Sequence, residues 1–206
     1  MGLEHWDANR KKWVLYRTEA EHSEDCAKYP FESIPRRVFL DTNVVNLLVK
    51  RSEHVFEQVP IPVDVDRTVA EDIEALMHVF AVSARASWDI LASRKTLDEI
   101  EKTRDPSIRM DLVDYAIHLV IPQSEDSAFA MRLGRLLVDA PFTSALPDLA
   151  DRELVGNAIG FRCDVFCTCD RSTIVSKRKH LRQLPLRIMK PAEWWAHVKP
   201  WAGRWC

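Results

Sequence analysis

Four acidic residues fall beside the short apolar runs that the sequence predicts to be strands. Asp41 directly follows the run RVFL, and Asp170 comes two residues after the run DVFCT. Glu99 lies in the first helical turn after WDILAS, and Asp151 lies near the start of the helix that precedes DVFCT. In a parallel α/β sheet the carboxyl ends of the strands share one edge, where ligands bind. We therefore expect these four carboxylates to converge at that edge.

The chemistry expected of such a group is that of a divalent metal ion. Carboxylates packed together repel one another, which forces some of them to take up protons. A bound divalent cation relieves that repulsion, and oxygen ligands favour Mg²⁺ or Mn²⁺. Such an ion activates a water molecule for attack on a phosphodiester, and a second ion can stabilise the leaving oxygen. The predicted reaction is phosphodiester hydrolysis without a covalent nucleophile or a catalytic histidine.

Each acid also has an ordinary structural interpretation as a helix cap. Thr96 and Glu99 have the spacing of a capping box, in which the threonine caps the helix and the glutamate occupies the third helical position. Asp41 and Asp170 could each cap the helix that follows. The coincidence of four acids at one predicted edge favours the metal site over four separate caps.

Asp148 competes with Asp151 for a place in this acidic site. The two residues lie three apart near a predicted helix start, so they would share a helix face. Both also suit the positive end of the helix dipole, which is the ordinary interpretation of acids at that position. We therefore take Asp151 as the predicted ligand and Asp148 as an additional acid.

The pattern of apolar runs predicts the fold that would position these acids. From residue 36 onward, short runs alternate with amphipathic stretches, which indicates an α/β fold with a central parallel sheet of about five strands and helices on both faces. The predicted strands are 36–40, 88–93, 118–122, 164–168 and 185–189. The predicted helices are 8–20, 44–51, 68–86, one beginning at 96, 110–117, 124–140, 147–161 with Pro147 in its first turn, 171–181 and 191–198.

The same pattern divides the chain into three segments. Residues 1–35 form an N-terminal extension, 36–190 the α/β domain, and 191–206 a C-terminal helix and Trp-rich tail. The tryptophans of the tail lie beside basic residues and could stack on RNA bases. Packing against the domain or a partner subunit is the favoured interpretation, because large aromatic side chains usually bury their area.

Composition and cysteine usage are typical of a cytoplasmic globular protein. Hydrophobic residues make up 47% and charged residues 29% of the chain, and no apolar run approaches the roughly 20 residues of a membrane helix. The N-terminus lacks the apolar core of a signal peptide. The five cysteines are odd in number, which argues against a secreted disulfide framework. Cys163, Cys167 and Cys169 could bind zinc, but their spacing and apolar neighbours favour a buried strand.

Charge is unevenly distributed although the net charge is only −2. Residues 171–206 hold nine lysines or arginines and one acid, so this segment carries +8 and the remainder carries −10. A basic segment beside an acidic body fits an enzyme that holds a phosphate chain near a metal site. The alternative for any single charge run is a solvated surface.

Four short motifs, taken in order, resemble those of the PIN-domain family over residues 36–190. The first strand ends in D-T-N (41–43), and the second is followed by T-L-D-E (96–99). D-x2-L-x3-A (151–158) precedes a strand that ends in T-x-D (168–170). Each motif is weak alone, but the ordered set is fairly specific.

The resemblance implies a metal-dependent endoribonuclease, a class that includes toxins of toxin–antitoxin pairs and enzymes of RNA processing. It implies RNA as substrate, an antitoxin protein or a second copy of the chain as partner, and Mg²⁺ or Mn²⁺ as cofactor. It implies that the catalytic metal ligands are Asp41, Glu99, Asp151 and Asp170. Asn43 and Thr168 would be polar groups that orient the ligands or a water molecule.

Two alternatives belong to other functional classes. A non-catalytic PIN-like scaffold for RNA or protein would be expected to lack some of the acids, and this chain lacks none of the four. A phosphatase with an aspartyl nucleophile, of the haloacid-dehalogenase type, would need D-x-D after the first strand. Asn43 occupies the position of the second aspartate of that motif, which counts against the phosphatase hypothesis.

Overall fold

The computed structural model describes residues 4–7, 12–119 and 125–205, and divides into two compact units. The sheet unit consists of Arg36–Ser52 and Asp89–Lys190. The helical unit consists of the described parts of Met1–Pro35, Glu53–Trp88 and Pro191–Cys206. Residues 53–88 thus belong with the two chain ends and not with the rest of the predicted 36–190 domain.

Six strands and nine α-helices occur within the described residues. The strands are β1 (Glu4–Asp7), β2 (Lys12–Val14), β3 (Arg37–Leu40), β4 (Asp89–Leu91), β5 (Val165–Cys167) and β6 (Arg187–Met189). The helices are α1 (Glu19–Lys28), α2 (Thr42–Lys50), α3 (Ser52–Phe56), α4 (Arg67–Ala86), α5 (Arg94–Ile100), α6 (Pro106–Ile117), α7 (Glu125–Leu137), α8 (Leu149–Gly160) and α9 (Pro191–Val198). Short 3-10 helices span Phe31–Ser33, Pro141–Thr143, Val175–Leu181 and Lys199–Arg204.

The sheet unit contains a parallel sheet with the strand order β4-β3-β5-β6. The predicted α/β class is therefore confirmed, but among the described residues the parallel sheet has four strands and not five. In the predicted strand 118–122, His118 and Leu119 form a turn after α6, and the remaining three residues lie outside the described part of the chain. The Leu119 carbonyl accepts a hydrogen bond from the backbone nitrogen of Ala92, just beyond β4, at 2.9 Å.

Three helix predictions are corrected by local hydrogen bonding. The predicted helix at 8–20 is wrong, since β2 pairs antiparallel with β1 and α1 begins only after Thr18, whose hydroxyl accepts from the Glu21 nitrogen at 3.2 Å. Pro147 lies before the cap of α8 and not in its first turn, because Asp148 is the N-cap. The predicted helix 171–181 is a turn followed by a 3-10 helix.

The core of the sheet unit forms around the two central strands. Every residue of β5 is buried, and Phe39 of β3 stacks on Phe166 of β5 with ring centroids 5.6 Å apart. Cys163 and Cys167 are also buried there, and Cys163 packs among aliphatic and aromatic side chains. They thus occupy the positions of small hydrophobic residues, as the buried-strand interpretation predicts.

Helices α7 and α8 approach closely because small residues face each other along their contact. A Cβ atom added at Gly160 would lie 2.4 Å from the Ala130 Cα, and one at Gly156 would lie 2.7 Å from the Gly134 Cα. In both cases the obstructing atom belongs to the backbone of the opposite helix, so the clash can be relieved only by separating the helices.

We therefore expect Gly160→Ala to destabilise the protein. Overpacking of this kind costs about 1–3 kcal/mol of unfolding free energy, which is offset only in part by the better helix propensity of alanine. Thermal denaturation followed by circular dichroism measures the effect. Gly203→Ala is the matched control, because nothing lies within 4 Å of its added Cβ. Equal melting temperatures for the two variants would contradict the packing described here.

The aromatic residues of the C-terminal tail pack within the helical unit. Trp194 is fully buried, and the Trp201 indole nitrogen donates to the Tyr29 carbonyl at 2.7 Å. The Trp205 ring meets the Trp88 ring edge-on, with centroids 5.3 Å apart. This agrees with the packing interpretation of the tail. Within the described residues, no helix is both long enough and apolar enough to cross a membrane.

Candidate metal centre

The predicted acids lie around the point where the strand order of the sheet reverses. From β3 the chain moves to β4 on one side and later to β5 on the other, so a crevice is expected beyond the carboxyl ends of β3 and β5. Asp41 follows β3, and Thr168 follows β5 at the same level. The Asp41 backbone nitrogen donates to the Cys167 carbonyl at 3.0 Å, which extends the pairing of the strands into the crevice.

Asp41 is buried at the centre of this crevice, with only 3% of its surface exposed. Its Oδ2 accepts hydrogen bonds from Thr168 Oγ1 at 2.6 Å and from Asn43 Nδ2 at 2.5 Å. Asn43 is held in turn by the Cys169 backbone nitrogen, which donates to its Oδ1 at 2.8 Å. Asn43 and Thr168 therefore contact and orient the Asp41 carboxylate, in the positions expected of groups that support a ligand.

Burial controls the ionisation of Asp41. Its pKa is raised to about 7, mainly by desolvation and to a smaller extent by the charge of Glu99, while the hydrogen bonds from Thr168 and Asn43 act in the opposite direction. Asp41 occupies the N-cap position of α2 but makes no side-chain capping hydrogen bond. The cap interpretation therefore does not explain why a carboxylate is buried here.

Glu99 belongs to α5, and the alternative interpretation of this residue as part of a capping box is wrong. The N-cap is Ser93, three residues before Thr96, and its backbone nitrogen donates to Thr96 Oγ1 at 3.4 Å. Thr96 is therefore the third residue of the helix, and Glu99 lies in the next turn. The Glu99 carboxylate instead accepts from Thr42 Oγ1 at 2.5 Å, which ties it to the start of α2.

Asp151 and Asp148 have different environments at the start of α8. Asp148 is the exposed N-cap and accepts from the Ala150 nitrogen at 2.8 Å, so the structural interpretation accounts for it. Asp151 lies half-buried in the first turn, and no hydrogen bond or ion pair to its carboxylate occurs in the described parts of the chain. Its pKa is raised to about 7, first by burial and then by the charges of Asp41, Asp148, Asp170 and Glu99.

Asp170 is held by the turn that follows β5. Its Oδ1 accepts from the Thr173 nitrogen at 2.8 Å and from Ser172 Oγ at 3.0 Å, and its Oδ2 accepts from Thr173 Oγ1. Burial acts to raise the pKa of Asp170, but the hydrogen bonds from Thr173 and Ser172 outweigh it and lower the pKa. Asp170 thus caps a turn and not the predicted helix, while its charge also acts on Asp151.

The structure therefore brings all four predicted acids into one electrostatic group. Over the described residues, no three His, Cys, Asp or Glu side chains are already arranged as ligands of one ion. The donor set nevertheless suits Mg²⁺ or Mn²⁺, because it consists of carboxylate oxygens and because two of its members are costly to ionise without a cation. Glu99 and Asp170 would have to turn from their present threonine partners to share an ion with Asp41 and Asp151.

Two polar links between α5 and α8 were not predicted. Asn157 Nδ2 donates to Ser93 Oγ at 3.0 Å, with both residues fully buried. Lys95 Nζ lies 2.9 Å from Glu153 Oε2, and both side chains are largely buried. These links fix the helix that carries Glu99 against the helix that carries Asp151. No local sequence pattern predicts these two links, because each joins residues that are far apart in the chain.

Comparison with known proteins yields no relative. The chain matches no protein-family model, and neither a curated protein nor a solved structure shows significant similarity to it. Any functional conclusion therefore rests on the motifs and on the geometry of this site.

Proposed function

We propose that this protein is a Mg²⁺- or Mn²⁺-dependent endoribonuclease of the PIN type, with Asp41, Glu99, Asp151 and Asp170 as its metal ligands. The observation that carries the proposal is the Asp151 carboxylate. It has no hydrogen bond from the described residues, and burial, together with the charges of the neighbouring acids, raises its pKa to about 7. A side chain placed so unfavourably is a candidate for function, since perturbed pKa values cluster at functional sites.

The residues of the crevice have distinct tasks in this proposal. When bound, the divalent ion supplies activation of the attacking water and neutralisation of the phosphate charge. Asp41 is the buried anchor ligand, and its neighbours Thr168 and Asn43 fix the direction of its oxygen atoms. Asp151 is the most available ligand, because it has no competing hydrogen bond among the described residues. Thr42 donates a hydrogen bond to Glu99 and so holds this carboxylate near Asp41, where it would complete the ligand set.

The test is cleavage of single-stranded RNA with added Mn²⁺ or Mg²⁺ and after chelation. Asp151→Asn should lower kcat/KM by more than the roughly 10- to 100-fold that follows loss of a group that merely supports a metal ligand. It should leave the fold intact, because Asp151 makes no structural hydrogen bond with described residues.

Asp148→Asn is the matched control, since it changes the same charge in the same helical turn. Asparagine also caps helices as well as aspartate does. This variant should retain nearly full activity. Cleavage that survives chelation, or that persists in the Asp151→Asn protein, would contradict the proposal.

A non-catalytic RNA- or protein-binding scaffold is the second candidate function. It is favoured by the absence, across the described segments, of a ligand set already arranged around one ion. A scaffold would neither cleave RNA nor bind Mn²⁺, so the same experiments decide between the two. The toxin role, the antitoxin partner and the homodimer implied by the family resemblance remain predictions.

A further inference from the structure

The segment that follows Asp170 is strongly basic. Residues 171–190 contain seven lysines and arginines and no acid, in a chain whose net charge is −2. The cations are Arg171, Lys177, Arg178, Lys179, Arg182, Arg187 and Lys190. Three of them are consecutive in the 3-10 helix Val175–Leu181, which we call the basic helix.

The basic helix is anchored at both ends and exposed between them. Ile174 and Leu181 are buried in the core of the sheet unit, whereas Ser176–His180 are exposed. The exposed stretch therefore presents Lys177, Arg178 and Lys179 from a backbone that is fixed on either side. A fixed row of cations loses less conformational entropy on binding than a mobile tail would.

The same turn that holds Asp170 in the candidate site starts the basic helix. The Asp170 carbonyl accepts from the Val175 nitrogen at 2.9 Å, and the Arg171 carbonyl accepts from the Ser176 nitrogen at 3.2 Å. With a rise of about 2.0 Å per residue, a 3-10 helix places Lys179 only about 8 Å along the axis from Val175. Lys177, the first cation of the row, therefore follows Asp170 by only seven residues.

We propose that the basic helix binds the sugar–phosphate backbone of single-stranded RNA and directs the strand into the acidic crevice. This inference rests on the proposed nuclease function. An acidic crevice alone repels a polyanion, and the adjacent row of cations supplies the opposing attraction. A plain solvated surface usually mixes both charge signs, whereas this segment has no acid over twenty residues.

The test measures RNA binding as a function of salt. Lys177→Gln with Lys179→Gln is compared with the parent protein in the cleavage-deficient Asp151→Asn background, using a single-stranded RNA oligonucleotide. Each phosphate contact contributes about 0.7 to the slope of log affinity against log salt for single strands, so losing two should reduce the slope by about 1.4. At 0.1 M salt this corresponds to roughly 25-fold weaker binding.

Lys50→Gln with Arg132→Gln is the matched control. Both residues are exposed and belong to the sheet unit, and the two substitutions remove the same amount of positive charge. Lys50 lies in the last turn of α2, at the end away from Asp41. The control should keep the parent slope. In the cleavage-competent protein, the substitutions in the basic helix should raise KM and leave kcat nearly unchanged.

The outcomes separate this inference from the proposed function. Equal slopes for the basic-helix and control variants, or binding of RNA without salt dependence, would overturn the inference even if the protein cleaves RNA. A slope reduced only in the basic-helix variant, in a protein that never cleaves RNA, would support the RNA-binding surface while the nuclease proposal fails.

Discussion

Asp41→Asn should abolish RNA cleavage and at the same time make the metal-free protein more stable at pH 8. Asp41 is almost completely buried, and desolvation raises its pKa to about 7, so at pH 8 the fold contains an ionised carboxylate with little water around it. Asparagine has nearly the same shape, carries no charge, and can still accept the hydrogen bond from Thr168 through its amide oxygen. A buried carboxylate that lowers the stability of the fold indicates that function requires it at this position.

The expected loss in kcat/KM exceeds about 100-fold, because Asp41 is proposed as a ligand and not as a supporting group. The expected gain in melting temperature is several degrees, given about 2–4 °C per kcal/mol for a chain of this size. Asp72→Asn is the control for neutralising a buried acid, since Asp72 lies in the helical unit. That variant should remain active. An Asp41→Asn protein that cleaves RNA, or that melts well below the parent at pH 8, would contradict this account.

Without a metal ion, stability should fall as the pH rises from about 4 to about 7. Asp41 and Asp151 both have pKa values raised to about 7 in the folded protein, above the ordinary value of 3.8. The folded state therefore binds more protons than the unfolded state throughout this interval, and proton release opposes folding as the pH increases. The lowered pKa of Asp170 acts in the opposite direction, but only at pH values below this window.

A divalent ion should reverse this trend, because it binds the ionised carboxylates in competition with protons. At pH 8 an ion present at 100 times its dissociation constant adds about 2.7 kcal/mol, which corresponds to a rise of roughly 5–10 °C in melting temperature. At pH 5 the rise should be much smaller. Thermal melts at several pH values, with Mn²⁺ and with chelator, provide the measurement. Asp151→Asn should flatten both pH dependences. Asp148→Asn should reduce them much less, because it removes only one of the four charges that raise the pKa of Asp151.

The strands of the sheet could be predicted from the sequence, because they follow from short-range patterns, whereas the metal site formed by the four acids remains a prediction. Apolar runs marked all four strands of the sheet, and each acid was placed by its distance from such a run. In a parallel sheet, a residue that directly follows a strand lies at the edge that all carboxyl ends share. The strand order, which places Asp41 and Asp170 beside the crevice between β3 and β5, depends on long-range pairing that no local pattern reveals.

The errors arose where two local signals competed. Ser93 and Thr96 are both good helix caps, and the structure uses Ser93, whose hydroxyl also accepts a hydrogen bond from Asn157 of a distant helix. No α-helix begins at residue 171, because the Asp170 and Arg171 carbonyls accept from the nitrogens of Val175 and Ser176, five residues ahead, and not at the four-residue spacing of an α-helix. Residues 53–88 were assigned to the α/β domain by continuity of sequence, whereas α4 packs against α9 in the helical unit.

Mn²⁺ binding by calorimetry at pH 8 tests the central claim most directly. The account predicts saturable binding to the parent protein that is weakened severely by Asp41→Asn and by Asp151→Asn but retained by Asp148→Asn. Absence of binding to the parent, or equal affinity in all four proteins, would show that these carboxylates do not form a metal centre.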